Sequence, residues 1–172
     1  PPKGYLNRLR EICNKHDILL IFDEVITGWG RTGSSFAAKE YDVTPDLMTM
    51  AKATTNGIVP MGVVAVKEEI YDTIVNASQD GVIELFHGYT YSGIPVAVAA
   101  ALAVQDIFEK EDIFNRAKNL SSYFLDGLFS LKDIDCIENI RGYGLMGGID
   151  IRKSDRPGKA GFLTYKKCYE VG

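Results

Sequence analysis

Residues 18–33 read ILLIFDEVITGWGRTG. Five apolar residues, Ile18 to Phe22, run without a break into two carboxylates, Asp23 and Glu24, followed by a loop with glycines at 28, 30 and 33. A short continuous apolar run predicts a strand buried on both faces of a parallel sheet. Such a strand ends in acid at a cost unless the acid has a partner, because an unpaired buried charge is expensive. The partner of Asp23 is therefore the first question the sequence poses.

Outward from this strand the pattern alternates. Tyr5, Leu6, Leu9, Ile12 and Cys13 fall at helical spacing, so about 4–15 reads as an amphipathic helix, with His16 as a favourable charge at its end. Phe36–Glu40 reads as a helical turn, TPDLMTMAK (44–52) as a strand ending at Lys52, TTNGIVPMG (54–62) as a turn-rich loop and VVAV (63–66) as a third strand. A helix is expected over 67–77, and ELFHGYTYSG (84–93) is a polar-aromatic loop. Ser92 is a candidate cap for a helix over 94–110 that tolerates Pro95 in its first turn. Lys110-Glu111-Asp112 breaks the pattern, a second helix spans about 112–131, and CIENIRGYGLMGGIDI (136–151) reads as two short strands around Gly142–Gly144. Composition shifts near residue 130, a candidate domain boundary. Strands alternating with helices predict an α/β fold.

The 172 residues suffice for one domain with a core. Net charge is −4 with no lysine or arginine run, so neither nucleic acid nor an anionic membrane is an expected partner. The longest apolar stretch, Ile94 to Val104, is too short to span a bilayer. Three cysteines, Cys13, Cys136 and Cys168, lie far apart without CxxC spacing. They favour a reducing, cytoplasmic setting over disulfides, and no metal site is expected. Both ends read as cut, with no initiator Met and no targeting segment, so a piece of a longer enzyme is expected and organellar targeting stays open.

Ligands of α/β sheets bind beyond the carboxyl ends of the strands. Asp23 and Lys52 each follow an apolar run at such an end. A desolvated lysine is a usable nucleophile, as a Schiff base with an aldehyde cofactor requires. Pyridoxal phosphate also needs a carboxylate to keep its pyridine nitrogen protonated, so that the ring accepts electrons. Bland readings stand beside this one. Asp23 also fits a loop start or helix cap, and Lys52 a snorkelling surface residue. LLIFDE further satisfies a Walker-B pattern with Asp for magnesium and Glu for water. The matching GxxxxGK[ST] of a P-loop nucleotidase occurs nowhere in the chain. A catalytically dead assembly subunit is a third reading, against which the presence of both Asp23 and Lys52 counts.

FDEVITGWGRTG, DLMTMAKATTNGIVPMG and HGYTYSGIP resemble, in order, the signatures of the class III pyridoxal-phosphate-dependent aminotransferases. They are most similar to the ω-amino acid (β-alanine):pyruvate branch. The resemblance implies a piece of a fold-type I transferase. Residues 1–110 would be part of the cofactor-binding large domain, its sheet with flanking helices, and 111–172 the connecting helix and the start of the C-terminal small domain. It implies pyridoxal 5'-phosphate as cofactor, an ω-amino acid or amine as donor, pyruvate or another keto acid as acceptor, ping-pong chemistry, and a homodimer or higher homo-oligomer. Lys52 resembles the Schiff-base lysine and Asp23 the acid that pairs with the pyridine nitrogen. Val25 resembles the residue that packs on one ring face. Thr90 resembles the residue that binds cofactor phosphate from the neighbouring subunit. Glu24 is read as structural, paired with Arg31, and His87 as a satisfied loop histidine. Tyr89 and Tyr91 either line the dimer-side pocket or pack there. One departure is Ile94, where the family often has His, and it bears on local packing.

Overall fold

The pairing of β1 (Ile21–Asp23) with β2 (Leu47–Met50) organises the chain. The computed structural model describes residues 1–152, 156 and 158–172. β1 and β2 run parallel, with Ile21 opposite Leu47, Phe22 opposite Met48 and Asp23 opposite Thr49. β3 (Val63–Val66) lies on the other side of β2 and is antiparallel to it, giving the order β1-β2-β3. The sheet is therefore mixed rather than parallel throughout. The reason lies in the connection over 51–62, which holds only a 3₁₀ turn, Lys52–Thr54, and no crossover helix to return the chain in parallel.

β1 is shorter and later than the apolar run that announces it. A strand needs a ladder partner, and β2 supplies one only from Leu47 onward. Leu20 is buried, whereas Ile18, Leu19 and Ile21 are each more than half exposed. Burial on both faces is thus not provided by the described residues, which leave these three side chains largely uncovered.

Asp46 fixes the start of β2. Its buried carboxylate accepts the Leu20 N–H at 2.7 Å and pairs with Arg10 of α1 (Tyr5–Lys15) and with Lys67, both at 2.7 Å. Burial alone would raise its pKa. The Leu20 N–H, Lys67 and Arg10 outweigh that cost and hold it well below the usual carboxylate range.

Four further helices and a hairpin complete the pattern beyond the short α2 (Ala37–Glu40): α3 (Glu68–Ala77), α4 (Pro95–Lys110), α5 (Ile113–Phe129), the hairpin β4 (Ile137–Tyr143) and β5 (Met146–Ile151), and α6 (Lys159–Val171). Ser92 does not cap α4. Pro95 stands in the first turn with Ile94 before it, and the Ser92 N–H donates to the Tyr89 carbonyl instead. Asp112, in a left-handed conformation, separates α4 from α5. The buried apolar set is small: Leu20, Val43, Met50, Ala97, Val104 and Ala117.

The hairpin reaches the glycine-rich loop. Gly144 turns with φ +58°, and a Cβ there would collide with the Arg31 carbonyl, so only glycine fits the approach. The Leu145 N–H donates to the Arg31 carbonyl at 2.9 Å, and the Ser121 hydroxyl of α5 donates to the Gly144 carbonyl at 3.1 Å. A second tie runs from Tyr143, whose hydroxyl donates to Glu40 at 2.6 Å. That bond keeps the Tyr143 phenol protonated well above the usual tyrosine range. Glu40, which also accepts the Ser34 hydroxyl, is held below the ordinary carboxylate value by Ser34 first and Tyr143 second. Among the described residues no helix is long and apolar enough to cross a membrane.

Candidate functional site

Two carboxyl-terminal strand ends lie side by side. Asp23 is the last residue of β1, and Lys52 stands two positions after the end of β2. The pairing is carried past the strand by the Glu24 N–H, which donates to the Thr49 carbonyl at 2.9 Å. Parallel neighbours thus bring a carboxylate and an amine to one edge of the sheet.

Asp23 is exposed, and its Oδ1 accepts the Val25 N–H at 3.0 Å. Among the described residues its other oxygen takes no hydrogen bond and no cation pairs with it. The opening question therefore has a plain structural answer: no side chain of the described residues is the partner. Val25 is half-buried directly beyond Asp23. Lys52 is also exposed, and its amine has no ion pair or hydrogen bond among the described residues. The desolvated surroundings expected for it are not supplied by the described residues. Its backbone is unusual, with φ +45° in the left-handed region that a residue bearing a Cβ rarely adopts.

The turn carrying Lys52 is anchored by two buried threonines. The Thr54 N–H and hydroxyl both donate to the Ala51 carbonyl, at 3.0 and 3.1 Å. The Thr55 hydroxyl donates to the Val59 carbonyl at 2.5 Å, and the Gly57 N–H donates to the Lys52 carbonyl at 3.2 Å. From the glycine-rich loop, the Trp29 indole N–H donates to Thr54 Oγ1 at 3.0 Å. The Trp29 ring meets Phe36 edge-on and stacks with Phe108 of α4. Sequence reasoning missed this link. A tryptophan inside a glycine-rich loop was its one available signal.

Glu24 differs from Asp23 although adjacent. It is only 1% exposed, and its oxygens accept the Thr27 hydroxyl at 2.5 Å and the Ala37 and Ala38 N–H groups at 3.0 and 2.7 Å. It is structural, as expected, but its partners are the first amides of α2 rather than Arg31. Unsatisfied amides at a helix start are good partners for a carboxylate. Gly28 donates its N–H to the Glu24 carbonyl so closely that a Cβ would lie 2.7 Å from that oxygen.

Thr90 is not joined to these groups. It lies in the exposed 79–93 segment, its hydroxyl making one long contact, 3.4 Å, to the Gly88 carbonyl. His87 accepts the Tyr89 N–H at 3.3 Å and its ring meets that of Tyr89, as a satisfied loop histidine does. Tyr89 and Tyr91 are both exposed. An apolar cleft of about 380 Å³ borders Asp23 and includes Leu6, Phe22, Tyr143 and Met146, but not Lys52. No cluster of His, Cys, Asp and Glu among the described residues could hold a metal ion, and Cys13, Cys136 and Cys168 are free.

Comparison with known proteins is consistent in direction. A family model described as aminotransferase class-III matches residues 1–167. The chain is 49% identical over 173 residues to an omega-aminotransferase of Caulobacter vibrioides, covering 100% of this chain and 39% of that protein. It is 46% identical over 177 residues to an omega-amino acid–pyruvate aminotransferase of Pseudomonas putida, covering 99% and 39%. Among solved structures it matches an amine transaminase from an uncultivated Pseudomonas species in the PLP-bound (internal aldimine) form. There the TM-score is 0.82 at 41% identity, over 91% of this chain and 35% of that one. The chain thus spans well under half the length of the relatives it matches. The Walker-B reading of LLIFDE finds no support among them.

Proposed function

The chain belongs to the class III aminotransferases, and on that premise we propose that the intact protein is a pyridoxal-phosphate-dependent transaminase that moves an amino group from an ω-amino acid or amine to pyruvate. The observation that carries this reading is the pair of strand ends: Asp23 and Lys52 at adjoining edges of parallel β1 and β2, each with a functional atom left unpaired by the described residues. The two groups form no ion pair with each other among the described residues, and the donor set suits the cofactor. Asp23 keeps one oxygen for a ring N–H, and Lys52 keeps a primary amine for an aldehyde.

Pyridoxal phosphate, when bound, supplies an aldehyde carbon that condenses with amines and a pyridine ring that accepts electrons from the substrate carbon. The chain's own residues would divide the remaining work. Lys52 Nζ would hold the cofactor and, once displaced by substrate, carry a proton as general base. Asp23 would keep the ring nitrogen protonated. The Asp23–Val25 hydrogen bond orients both the carboxylate and the following apolar side chain, and Val25 would pack on one ring face. Thr90 would offer its hydroxyl and N–H to the phosphate of a neighbouring subunit. The exposure of the whole 79–93 segment favours that role in a homodimer or higher homo-oligomer. The division near residue 110 into large and small domains, and a cytoplasmic setting suggested by three free cysteines, belong to the same reading.

The test is borohydride reduction of the full-length enzyme loaded with pyridoxal phosphate, followed by peptide mapping. The pyridoxyl label is expected on Lys52. Label on Lys39 or Lys67 instead would overturn the assignment.

A further inference from the structure

Lys52 carries a conformation that its own residue type disfavours. A non-glycine residue at φ +45° is disfavoured relative to the right-handed region, and it persists only where the surroundings over-determine it. What over-determines it can be read off the turn. Thr54 is 3% exposed, and its hydroxyl accepts from the Trp29 indole and donates to the Ala51 carbonyl. Thr55 is 2% exposed, and its hydroxyl pins the Val59 carbonyl at the far side of the turn. The turn's other hydrogen bonds have both partners within residues 51–59. Among the described residues only the Trp29 bond comes from a different part of the chain, 25 residues away.

Trp29 is itself held from three sides. Its ring lies against Phe36 and Phe108, its backbone N–H donates to the Ser35 carbonyl at 2.6 Å, and its own φ of +65° is left-handed. The loop it sits in is tied by Arg31 to the β4–β5 turn through the Leu145 N–H. The indole is therefore a fixed point, and among the described residues the Thr54 hydroxyl is the only polar group it grips. A phenylalanine in its place would keep the packing and lose the grip.

We propose that Trp29 and Thr54 are positioning residues for Lys52: their hydrogen bond locks the strained turn so that the Lys52 amine is presented beyond the end of β2. This rests on the reading of Lys52 as the cofactor lysine. Without the bond the turn relaxes toward a right-handed Lys52, and the amine samples directions other than the one this turn gives it. Neither Trp29 nor Thr54 touches a reacting atom.

The experiment uses full-length apoenzyme at saturating pyridoxal phosphate. The rate of attachment to Lys52 is followed by borohydride quenching and peptide mapping, and the rate of cofactor release by dialysis. Thr54→Val removes the hydroxyl at constant shape, and Trp29→Phe removes the N–H while keeping an aromatic ring. Each is expected to slow attachment and speed release, by about tenfold in their combined ratio for Trp29→Phe, which removes the shared bond, and by at least that for Thr54→Val, which also removes the bond to the Ala51 carbonyl. The double variant should match Thr54→Val rather than multiply the two effects, because Thr54→Val already removes the bond that Trp29→Phe removes. Thr54→Ser, which keeps the hydroxyl, should restore the wild-type rates. Asp46→Asn, at the opposite end of β2, provides a control for general loss of stability. If it slows attachment as much as Thr54→Val, measured well below both melting temperatures, the role is merely structural and the proposal falls. Wild-type rates in Thr54→Val and Trp29→Phe would also overturn it. Absence of label on Lys52 in the wild-type enzyme would instead overturn the parent reading, so the two failures are told apart.

Discussion

Asp23 and Glu24 are neighbours with the same chemistry and opposite circumstances. The side chain of Glu24 turns into the protein and spends its charge on backbone amides, whereas Asp23 stays exposed with an oxygen free. The difference predicts different consequences for the same kind of substitution. Asp23→Asn in the full-length enzyme keeps the Oδ1 that accepts the Val25 N–H, so the melting temperature should be unchanged. It removes the charge that would keep the ring nitrogen protonated, so kcat should fall by at least about 100-fold, roughly 2.7 kcal/mol of barrier. Turnover within about threefold of wild type, under about 1 kcal/mol, would show that the charge does no electronic work. Glu24→Gln shows the reverse pattern. An amide has one acceptor oxygen where the carboxylate has two, and its NH₂ would face the Ala37 or Ala38 N–H or the Thr27 hydroxyl. Thermal or urea unfolding should register a loss of about 1–3 kcal/mol, the cost of an unsatisfied buried donor.

Elements were legible from the sequence where a side-chain pattern alone specifies them. The helices now seen at Tyr5–Lys15, Pro95–Lys110 and Ile113–Phe129 follow from apolar spacing and from punctuation at Pro95 and Asp112. Strands were legible as strands but not in extent or direction. Ile18–Phe22 reads as one unit, yet only from Ile21 does β2 offer a partner, and periodicity says nothing of whether β3 runs with β2 or against it. At the site, Asp23 and Lys52 could be picked out because each ends an apolar run. The grip of Trp29 on Thr54 could not, because it depends on two left-handed backbone positions that no local pattern encodes. Asp46 was likewise invisible, being one acid in a loop until folding brings Arg10, Leu20 and Lys67 around it. It is the tie between α1, the start of β1 and the residue preceding α3, and its pH dependence follows from its shift. An aspartate unfolds to an ordinary value of about 3.9, and here the folded value lies below that. The stabilisation is therefore fully present above about pH 4 and is lost as pH falls further toward the folded value. Urea midpoints measured between pH 3 and 7 should drop at the acid end. Asp46→Asn should flatten part of that drop while costing about 2 kcal/mol at neutral pH, because it leaves Arg10 and Lys67 without their carboxylate.

At the scale of the whole molecule, the surface is too large for the mass. The chain exposes 12825 Å² at 19.0 kDa, whereas a compact monomer of that mass exposes about 8,400 Å². The excess, about 4,400 Å², is of the size that obligate interfaces bury. Its chemistry agrees. Ile18, Leu19 and Ile21 are exposed around β1, Val64 and Val66 on β3, and Leu102 on α4. A monomer seldom exposes apolar patches of more than a few hundred Å², so this many large apolar side chains in water favour association. At about 25 cal/mol per Å² of apolar area, covering about 400 Å² of it would contribute about 10 kcal/mol, comparable to a typical net stability of about 5–15 kcal/mol. The 172 residues expressed alone are therefore expected to associate. Light scattering or sedimentation should give a mass above the monomer, and a dye that binds apolar surface should fluoresce strongly. Amine transfer to pyruvate with added pyridoxal phosphate should be absent. In the proposed roles Val25 would offer one ring face and Thr90 would serve another subunit's phosphate, and holding reactants in register is worth roughly 7–11 kcal/mol of barrier. A well-behaved monomer of 19.0 kDa turning over at an ordinary enzyme's rate would show that the exposed faces need no cover and that the site needs no more than Asp23, Val25 and Lys52.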